Sequence, residues 1–446
     1  MSMSVAAESM QGVLSGEDVI FTGVSTDTRT TEQGDLFIAL RGPKFDGHNF
    51  LAQAISKGAI GAVLIKELAT ALPYIKVDDT RIALGLLAAY WRIHFNIPVI
   101  GVTGSNGKTT VKEMIATILS CKAPCLATQG NLNNDIGVPL TLLRLRRKHR
   151  SAVIEMGMNH LGEIAHLSGL VRPDVGVITN ASEAHLAGLG NVASVAAAKA
   201  EMFSGLAENG IAVINADDPY CEFWREQAKK QTVVTFGFSD QADVKGVYHP
   251  DVNGCRLIVS TNKGEVSMNL SVLGRHNAAN ALAATAASLA AGADLADIKT
   301  GLEKLRAING RLEVKHGVSG ARIIDDTYNA NPASLSVGLE VLKEAQGERI
   351  LVLGDMAELG DLGPDIHKRV GRLAKKIGVS RLFALGDLTK HTVQTFAKGA
   401  GHYASHQELV ESLIDCLHSD TTVLVKGSRS MHMENVVEGI VRRQED

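Results

Sequence analysis

The sequence predicts an α/β protein of three domains: a small N-terminal α/β unit, a central phosphate-loop domain on a mostly parallel sheet, and a C-terminal unit with a parallel sheet and crossover helices. Three observations carry this reading. PVIGVTGSNGKTT, residues 98–110, is an apolar strand that runs into a glycine-rich turn and then a helix, the order a triphosphate-binding loop demands. Apolar runs alternate with helical stretches, most clearly after residue 310, and that alternation makes a sheet parallel. At 446 residues the chain exceeds what one hydrophobic core serves, and about 150 residues per domain gives roughly three.

Composition narrows the function. Hydrophobic residues make up 45% and charged residues 21%, the balance of a soluble globular protein. A net charge of −3 and a pI near 6.6 argue against a broad nucleic-acid footprint. The start, MSMSVAAESMQGV, has no basic n-region, and the longest apolar stretch, IALGLLAAYW, falls far short of a membrane span. A cytosolic monomer is expected. The five cysteines include no C-x-x-C pair, so neither a zinc site nor a disulfide framework is indicated.

Residues 1–79 read as the first unit. LFIAL is a strand, AQAISKGA a helix and AVLI a strand, and Ser25, Thr26, Asp27, Arg29, Lys44, Asp46 and His48 gather in two loops. These side chains offer enough donors for a diphosphate and a nucleobase. Residue type alone favours turn capping, the usual work of Ser, Thr and Asp. Asp79 or Thr80 then caps a helix carrying Leu84, Leu87, Ala88 and Trp91 at helical spacing, so a boundary is placed near Asp79.

The second unit, residues 80–310, holds the phosphate loop. Val99, Ile100 and Val102 form its strand, Gly104 and Gly107 let the backbone turn its N–H groups inward, and the helix N-terminus faces a polyanion. Lys108 reaches the β- and γ-phosphates, and the Thr109 hydroxyl is placed for the accompanying Mg²⁺. Val102 stands where the strict motif has glycine, so an ordinary strand-to-helix turn is the alternative. SAVIE and DVGVITN are further buried strands, ending at Glu155 and near Asn180, with His185 just beyond. Ligands sit at the carboxyl ends of such strands, so Glu155 and His185 are expected at the rim that carries Thr109. His185 is otherwise a loop histidine.

The run RLRRKHR reads as a solvated loop. NVASVAAAKAEMFSGLAENG reads as one helix with Lys199 on its apolar stripe, where an ammonium either snorkels to solvent or points into the nucleotide site. IAVINADDP and TVVTFGF add strands, CRLIVSTNKGEVSMNLSVL reads as an inserted antiparallel hairpin, and Arg275-His276-Asn277 opens one Ala-rich helix. RAINGRLEVKHGVSG has no apolar periodicity, which sets the second boundary near Gly310. In the third unit, 311–446, the strands RIIDD, RILVLGDM, RLFALGD and TTVLVKGS alternate with helices.

The combination TGSNGKTT, EMG, AHL, AKAEMF, GRHNAAN, NGRLE and DDTYNANPASL resembles the ATP-dependent Mur ligases of peptidoglycan synthesis over all three units. GNLNNDIGVPLTLL, DDTYNANPASL and VLGDMAELGD point to the MurF type within that family, which adds D-alanyl-D-alanine. The resemblance implies a UDP-sugar-peptide-binding first domain, a central ATPase and a C-terminal Rossmann-like domain that brings the incoming amine. It implies an enzyme that joins D-alanyl-D-alanine to UDP-N-acetylmuramoyl-tripeptide through an acyl phosphate, releasing ADP and phosphate. A folylpolyglutamate synthetase, which shares the ATP motifs, is the nearer rival, and a non-catalytic nucleotide switch the more distant one.

Carried over by position, Ser25, Asp27, Arg29, Lys44, Phe45, Asp46 and His48 would hold the UDP moiety. Gly104, Ser105, Asn106, Gly107, Lys108, Thr109 and Thr110 would bind the phosphates. Thr109 and Glu155 would hold one Mg²⁺ and His185 with Lys199 a second, with Lys199 matching the family's carbamylated lysine. His276, Asn277 and Asn280 would lie at the adenine, while Arg311 and Asp326 approach ATP from the hinge and the third domain. Tyr328, Asn329, Asn331 and Ser334 are assigned to dipeptide recognition, the alternative being that Asn329 and Asn331 only form the turn before Pro332.

Overall fold

The computed structural model describes the whole chain except residues 43–44, 68–69, 71, 183–188, 252, 307 and 443–446. Three sheets follow one another along it. The first comprises β1 (Val13–Ser15), β2 (Gly23–Ser25), β3 (Asp35–Ile38), β4 (Gly61–Leu64) and β5 (Tyr74–Lys76), in the order β1-β5-β4-β3-β2. Only the β1–β5 pair in it is antiparallel.

The central sheet has β6 (Val99–Thr103), β7 (Cys125–Ala127), β8 (Ser151–Glu155), β9 (Val175–Ile178), β10 (Ile211–Asn215) and β11 (Thr232–Gly237), followed by β12 (Val244–Asp251), β13 (Gly254–Thr261) and β14 (Gly264–Leu270). Its order is β14-β13-β12-β11-β10-β9-β6-β8-β7. Every residue of β6, β8 and β9 is buried, because helices cover both faces of a parallel sheet and leave no solvent side to alternate with. The helix Arg275–Ala290 is buried nearly all round. Its small side chains let it press into the same core as the helix Lys108–Leu119.

The third sheet has β15 (Glu313–His316), β16 (Arg322–Asp326), β17 (Glu348–Gly354), β18 (Arg381–Leu385), β19 (Ala400–Tyr403) and β20 (Thr421–Lys426), in the order β15-β16-β20-β17-β18-β19. All of its pairs are parallel except β15–β16. Asp79 caps the helix Thr80–Arg92 by accepting from the N–H groups of Arg81 and Ile82. Ala83, Leu84 and Leu87 of that helix pack into the first core and Ala88 into the second, so it joins the two units by packing as well as by sequence.

Four local expectations are corrected. The stretch around Lys199 is an α-helix only over Val192–Ala200 and tightens to a 3₁₀ turn over Glu201–Gly205. The Ala-rich run is two helices, Arg275–Ala290 and Leu295–Lys304, separated at Gly292 with φ +94° and restarted by a capping box between Asp294 and Asp297. The hairpin forms as expected, β13 pairing antiparallel with β14, but instead of a separate insertion it is the edge of the central sheet, joined to it by β12, which pairs parallel with β11 and antiparallel with β13. β15 forms in a segment without apolar periodicity because its pairing with β16 supplies the strand, the usual tertiary override of local pattern.

Candidate active site

From β6 the sheet extends through β8 to β7 on one side and through β9 and β10 on the other, the chain crossing over β6 between β8 and β9. The carboxyl ends of β6, β8 and β9 therefore frame a crevice at a switch point of the sheet, where α/β proteins bind ligands. The loop after β6 is shaped by two glycines with positive φ, Gly104 at +152° and Gly107 at +81°. A Cβ on Gly104 would collide with Thr179 Oγ1 and one on Gly107 with Asn280 Oδ1, so no other residue fits. The Ser105 N–H donates to the Asn180 carbonyl and the Asn106 N–H to Asn180 Oδ1, both at 3.0 Å. Thr179 Oγ1 donates to the Asn106 carbonyl at 2.6 Å. Lys108 Nζ donates to the Gly104 carbonyl at 2.7 Å. Burial pushes that ammonium below the usual lysine range, against the pull of Glu155, and Arg311 adds to the downward push.

Glu155, the last residue of β8, is buried. Its Oε1 accepts from Asn133 Nδ2 at 2.8 Å and its backbone N–H donates to Thr128 Oγ1 at 2.9 Å. Its Oε2 has no hydrogen-bond partner among the described residues. A buried carboxylate oxygen without a donor suits a hard cation, and Mg²⁺ takes one or two protein oxygens and completes its shell with phosphates and water. Among the described residues no cluster of three His, Cys, Asp or Glu side chains able to hold a metal occurs.

Lys199 is 1% exposed, so it does not snorkel. Burial first, and the charge of Lys108 second, hold it well below the ordinary lysine range. It is not among the residues that line the cleft, and His185 lies outside the described residues.

The third sheet supplies the opposite wall. Arg311 Nη2 donates to Thr109 Oγ1 at 3.4 Å, and its guanidinium stacks 4.0 Å over the Tyr328 ring. Asp326 ends β16 with its Oδ2 2.5 Å from Lys426 Nζ. Burial pushes the Asp326 carboxyl up against the pull of Lys426. Asn331 and Ser334 form a capping box on the helix Pro332–Glu344, the turn-forming role, while Asn331 Nδ2 donates to Asn106 Oδ1 of the phosphate loop at 3.0 Å. Asn329 Oδ1 accepts from the Ala330 N–H at 2.9 Å. Burial, with Lys426 second, lowers His276 to about 4 and keeps it neutral. Asn277 Nδ2 donates to the Leu273 carbonyl at 2.9 Å, and Asn280 Nδ2 to Asn277 Oδ1 at 3.1 Å.

One cleft of about 1900 Å³ gathers these groups. Ser105 to Thr110, Glu155, His276, Asn277, Asn280, Arg311, Asp326, Tyr328, Asn329, Asn331 and Ser334 all line it.

Family models match along most of the chain: the Mur ligase family catalytic domain over residues 20–92, the Mur ligase middle domain over 102–288, and the Mur ligase glutamate ligase domain over 310–429. The UDP-N-acetylmuramoyl-tripeptide–D-alanyl-D-alanine ligase of Escherichia coli K12 is 43% identical over 99% of this chain and 98% of its own length. The chain belongs to the Mur ligase family. Among solved Mur ligases, MurF from Acinetobacter baumannii superposes with a TM-score of 0.92 at 36% identity, covering 98% of this chain and 97% of that one. MurF ligase from Thermotoga maritima, solved in complex with ADP, gives 0.83 at 25% identity over 95% and 98%.

In this Mur ligase none of the N-terminal candidates among the described residues lines the cleft. Ser25 Oγ donates to the Asp27 carbonyl at 2.9 Å, and the exposed Arg29 pairs with Asp27 at 2.6 Å. Asp46 Oδ1 accepts from the His48 N–H at 3.0 Å and meets His48 Nδ1 at 2.5 Å, while His48 Nε2 accepts from the Ile65 N–H at 3.1 Å. All but the His48–Ile65 bond are local to their own turns. Phe45 is 53% exposed, and Lys44 lies outside the described residues. Three contributors to the cleft were not singled out from sequence: Asn133 on Glu155, the Arg81–Asp135 ion pair at 2.7 Å, and Lys426. The Asn131–Asp135 run and a lysine closing an apolar strand were the available signals.

Proposed function

We propose that this chain joins D-alanyl-D-alanine to UDP-N-acetylmuramoyl-tripeptide with hydrolysis of ATP to ADP and phosphate, in the cytoplasmic stage of peptidoglycan synthesis. The observation that carries this is the single cleft in which a phosphate loop faces Arg311, Asp326 and the 328–331 loop of the third sheet. The full-length relative from E. coli bears the name of that activity. On this reading residues 1–79 hold the UDP-sugar peptide, with Ser25, Asp27, Arg29, Lys44, Phe45, Asp46 and His48 as its contacts. Residues 80–310 hold ATP and residues 311–446 the dipeptide, oriented by Tyr328, Asn329, Asn331 and Ser334.

The mechanism follows from charge. The tripeptide's terminal carboxylate attacks the γ-phosphorus, the bond to the ADP oxygen breaks, and an acyl phosphate forms. Both reactants are anionic, so Lys108 and Arg311 neutralise and align them. The amine of D-alanyl-D-alanine then attacks the acyl carbonyl, loses a proton, and phosphate leaves. His276, Asn277 and Asn280 position the adenine. Thr109 and Glu155 would hold one Mg²⁺, and His185 with Lys199 a second, supplying further charge neutralisation.

Burial and Lys108 favour the neutral amine of Lys199. A neutral amine takes up CO₂ with loss of a proton, and the carbamate is an anion that suits both Lys108 and a hard cation. The bonds from Arg311 to Thr109 and from Asn331 to Asn106 join the third domain to the phosphate loop, a closed arrangement that keeps water from the acyl phosphate. Labelling the tripeptide's terminal carboxylate with ¹⁸O tests the scheme. One labelled oxygen should appear in the released phosphate, and unlabelled phosphate would refute the acyl-phosphate route.

A further inference from the structure

We propose that Lys426 is a positioning residue for the incoming dipeptide, pinning the loop after β16 at its start and at its middle. The inference rests on the ligase reading above. Lys426 is the last residue of β20 and stands in register opposite Asp326, the last residue of β16. It is 1% exposed, so its ammonium is directed into protein. Nζ donates to Asp326 Oδ2 at 2.5 Å, to the Asp326 carbonyl at 3.5 Å and to the Asn329 carbonyl at 2.9 Å. A lysine ammonium has three donor hydrogens, and this one has three acceptors, two at the start of the loop and one at its middle.

Between those anchors sits Tyr328, whose ring lies 4.0 Å under the Arg311 guanidinium. Arg311 in turn reaches Thr109, and Asn331, two residues beyond the second anchor, reaches Asn106. The path from Lys426 through the loop to the phosphate site is therefore short and made of direct contacts. The second anchor is what turns a buried ion pair into a device that sets the height of the 327–331 loop, where the dipeptide is held on this reading. Removing Nζ leaves both a buried carboxylate and a buried carbonyl without their donor, and buried groups so orphaned drive local rearrangement.

The test compares wild type, Lys426→Met and Lys426→Gln in three measurements: amide formation against D-alanyl-D-alanine concentration, direct ADP binding, and hydrogen–deuterium exchange. Lys426→Met should raise the dipeptide KM at least about tenfold and the ADP Kd by a clearly smaller factor. Lys426→Gln, which can donate to one carbonyl, should lie between Met and wild type. Loss of exchange protection should be confined to residues 327–331. A dipeptide KM unchanged in both variants overturns the proposal, as does a loss of ADP and dipeptide affinity in equal proportion, which is what a merely structural lysine gives. If Lys426→Met does not fold, the Gln variant decides by the same two criteria. A wild-type enzyme that forms no amide with this dipeptide would refute the ligase reading, and unchanged exchange at 327–331 in the variants would separately refute the positioning role.

Discussion

Lys199→Arg and Lys199→Met form the pair of substitutions with the sharpest consequence. Lysine at this position is 1% exposed, and burial first and Lys108 second push its ammonium well below the ordinary lysine range; on the proposed reading a neutral amine or its carbamate stands there. Arginine cannot lose its proton, and a buried ion without a partner carries a penalty of several kcal/mol after relaxation. Against a total stability of about 5–15 kcal/mol, a loss of about 3 kcal/mol is large, and it lowers the Tm of a 150–250-residue domain by roughly 6–12 °C. Methionine keeps the volume without the charge, so a Met variant should melt within a few degrees of wild type.

The carbamate reading adds that both variants lose an anionic oxygen ligand and fall about 10²-fold or more in kcat. The assays are thermal unfolding and steady-state amide synthesis, the latter with wild type also run in buffer stripped of CO₂ and bicarbonate. Stripping should slow the wild type, and added bicarbonate should restore it. A Met or Arg variant with kcat within threefold of wild type would refute the carbamate, and an Arg variant as stable as wild type would refute the buried-charge argument beneath it.

Three further outcomes are expected. Lys108→Ala should lower kcat by about 10²-fold or more, measured at saturating ATP. Asn331→Ala removes both the cap of the helix Pro332–Glu344 and the bond to Asn106, which should lower stability by about 1 kcal/mol and raise the KM for D-alanyl-D-alanine; an effect on ATP kinetics alone would break the assignment.

Acidification should destabilise the fold through His367. It is fully buried, its Nε2 accepts from the Met356 N–H at 3.3 Å, and burial lowers it from 6.5 to about 4. Between those values the unfolded chain binds the extra proton and the native one does not, so stability is complete above pH 6.5 and falls as pH drops toward 4. At pH 5 the loss is about 2 kcal/mol, and His367→Gln should remove that part of the pH dependence in urea titrations.

The phosphate loop was legible because its chemistry is local: strand, glycines, Lys108, Thr109 and helix are contiguous, and the positive φ of Gly107 is dictated by a turn only a few residues long. Glu155 was legible for a related reason, as a polar residue closing an apolar strand whose carboxyl end must share a rim with its neighbours in a doubly wound sheet, whereas His185, expected beside it, lies outside the described residues. Lys426 was not, because its meaning depends on β20 being inserted between β16 and β17, a pairing that joins positions 100 residues apart. The half-buried β15 likewise takes its strand character from β16 and not from its own pattern. The two roles of Asn331 illustrate the same limit. Its capping box lies within four residues and follows from Asn before Pro, whereas its bond to Asn106 spans 225 positions and exists only once two domains meet.

The central claim is that this cleft makes an amide between a UDP-linked tripeptide and D-alanyl-D-alanine. Incubating the protein with ATP, Mg²⁺ and UDP-N-acetylmuramoyl-tripeptide, together with either D-alanyl-D-alanine or glutamate, and weighing the products by mass spectrometry tests it most directly. One UDP-N-acetylmuramoyl-pentapeptide per ADP is expected with the dipeptide and none with glutamate. Glutamate addition, or ADP release without any amide product, would contradict the account.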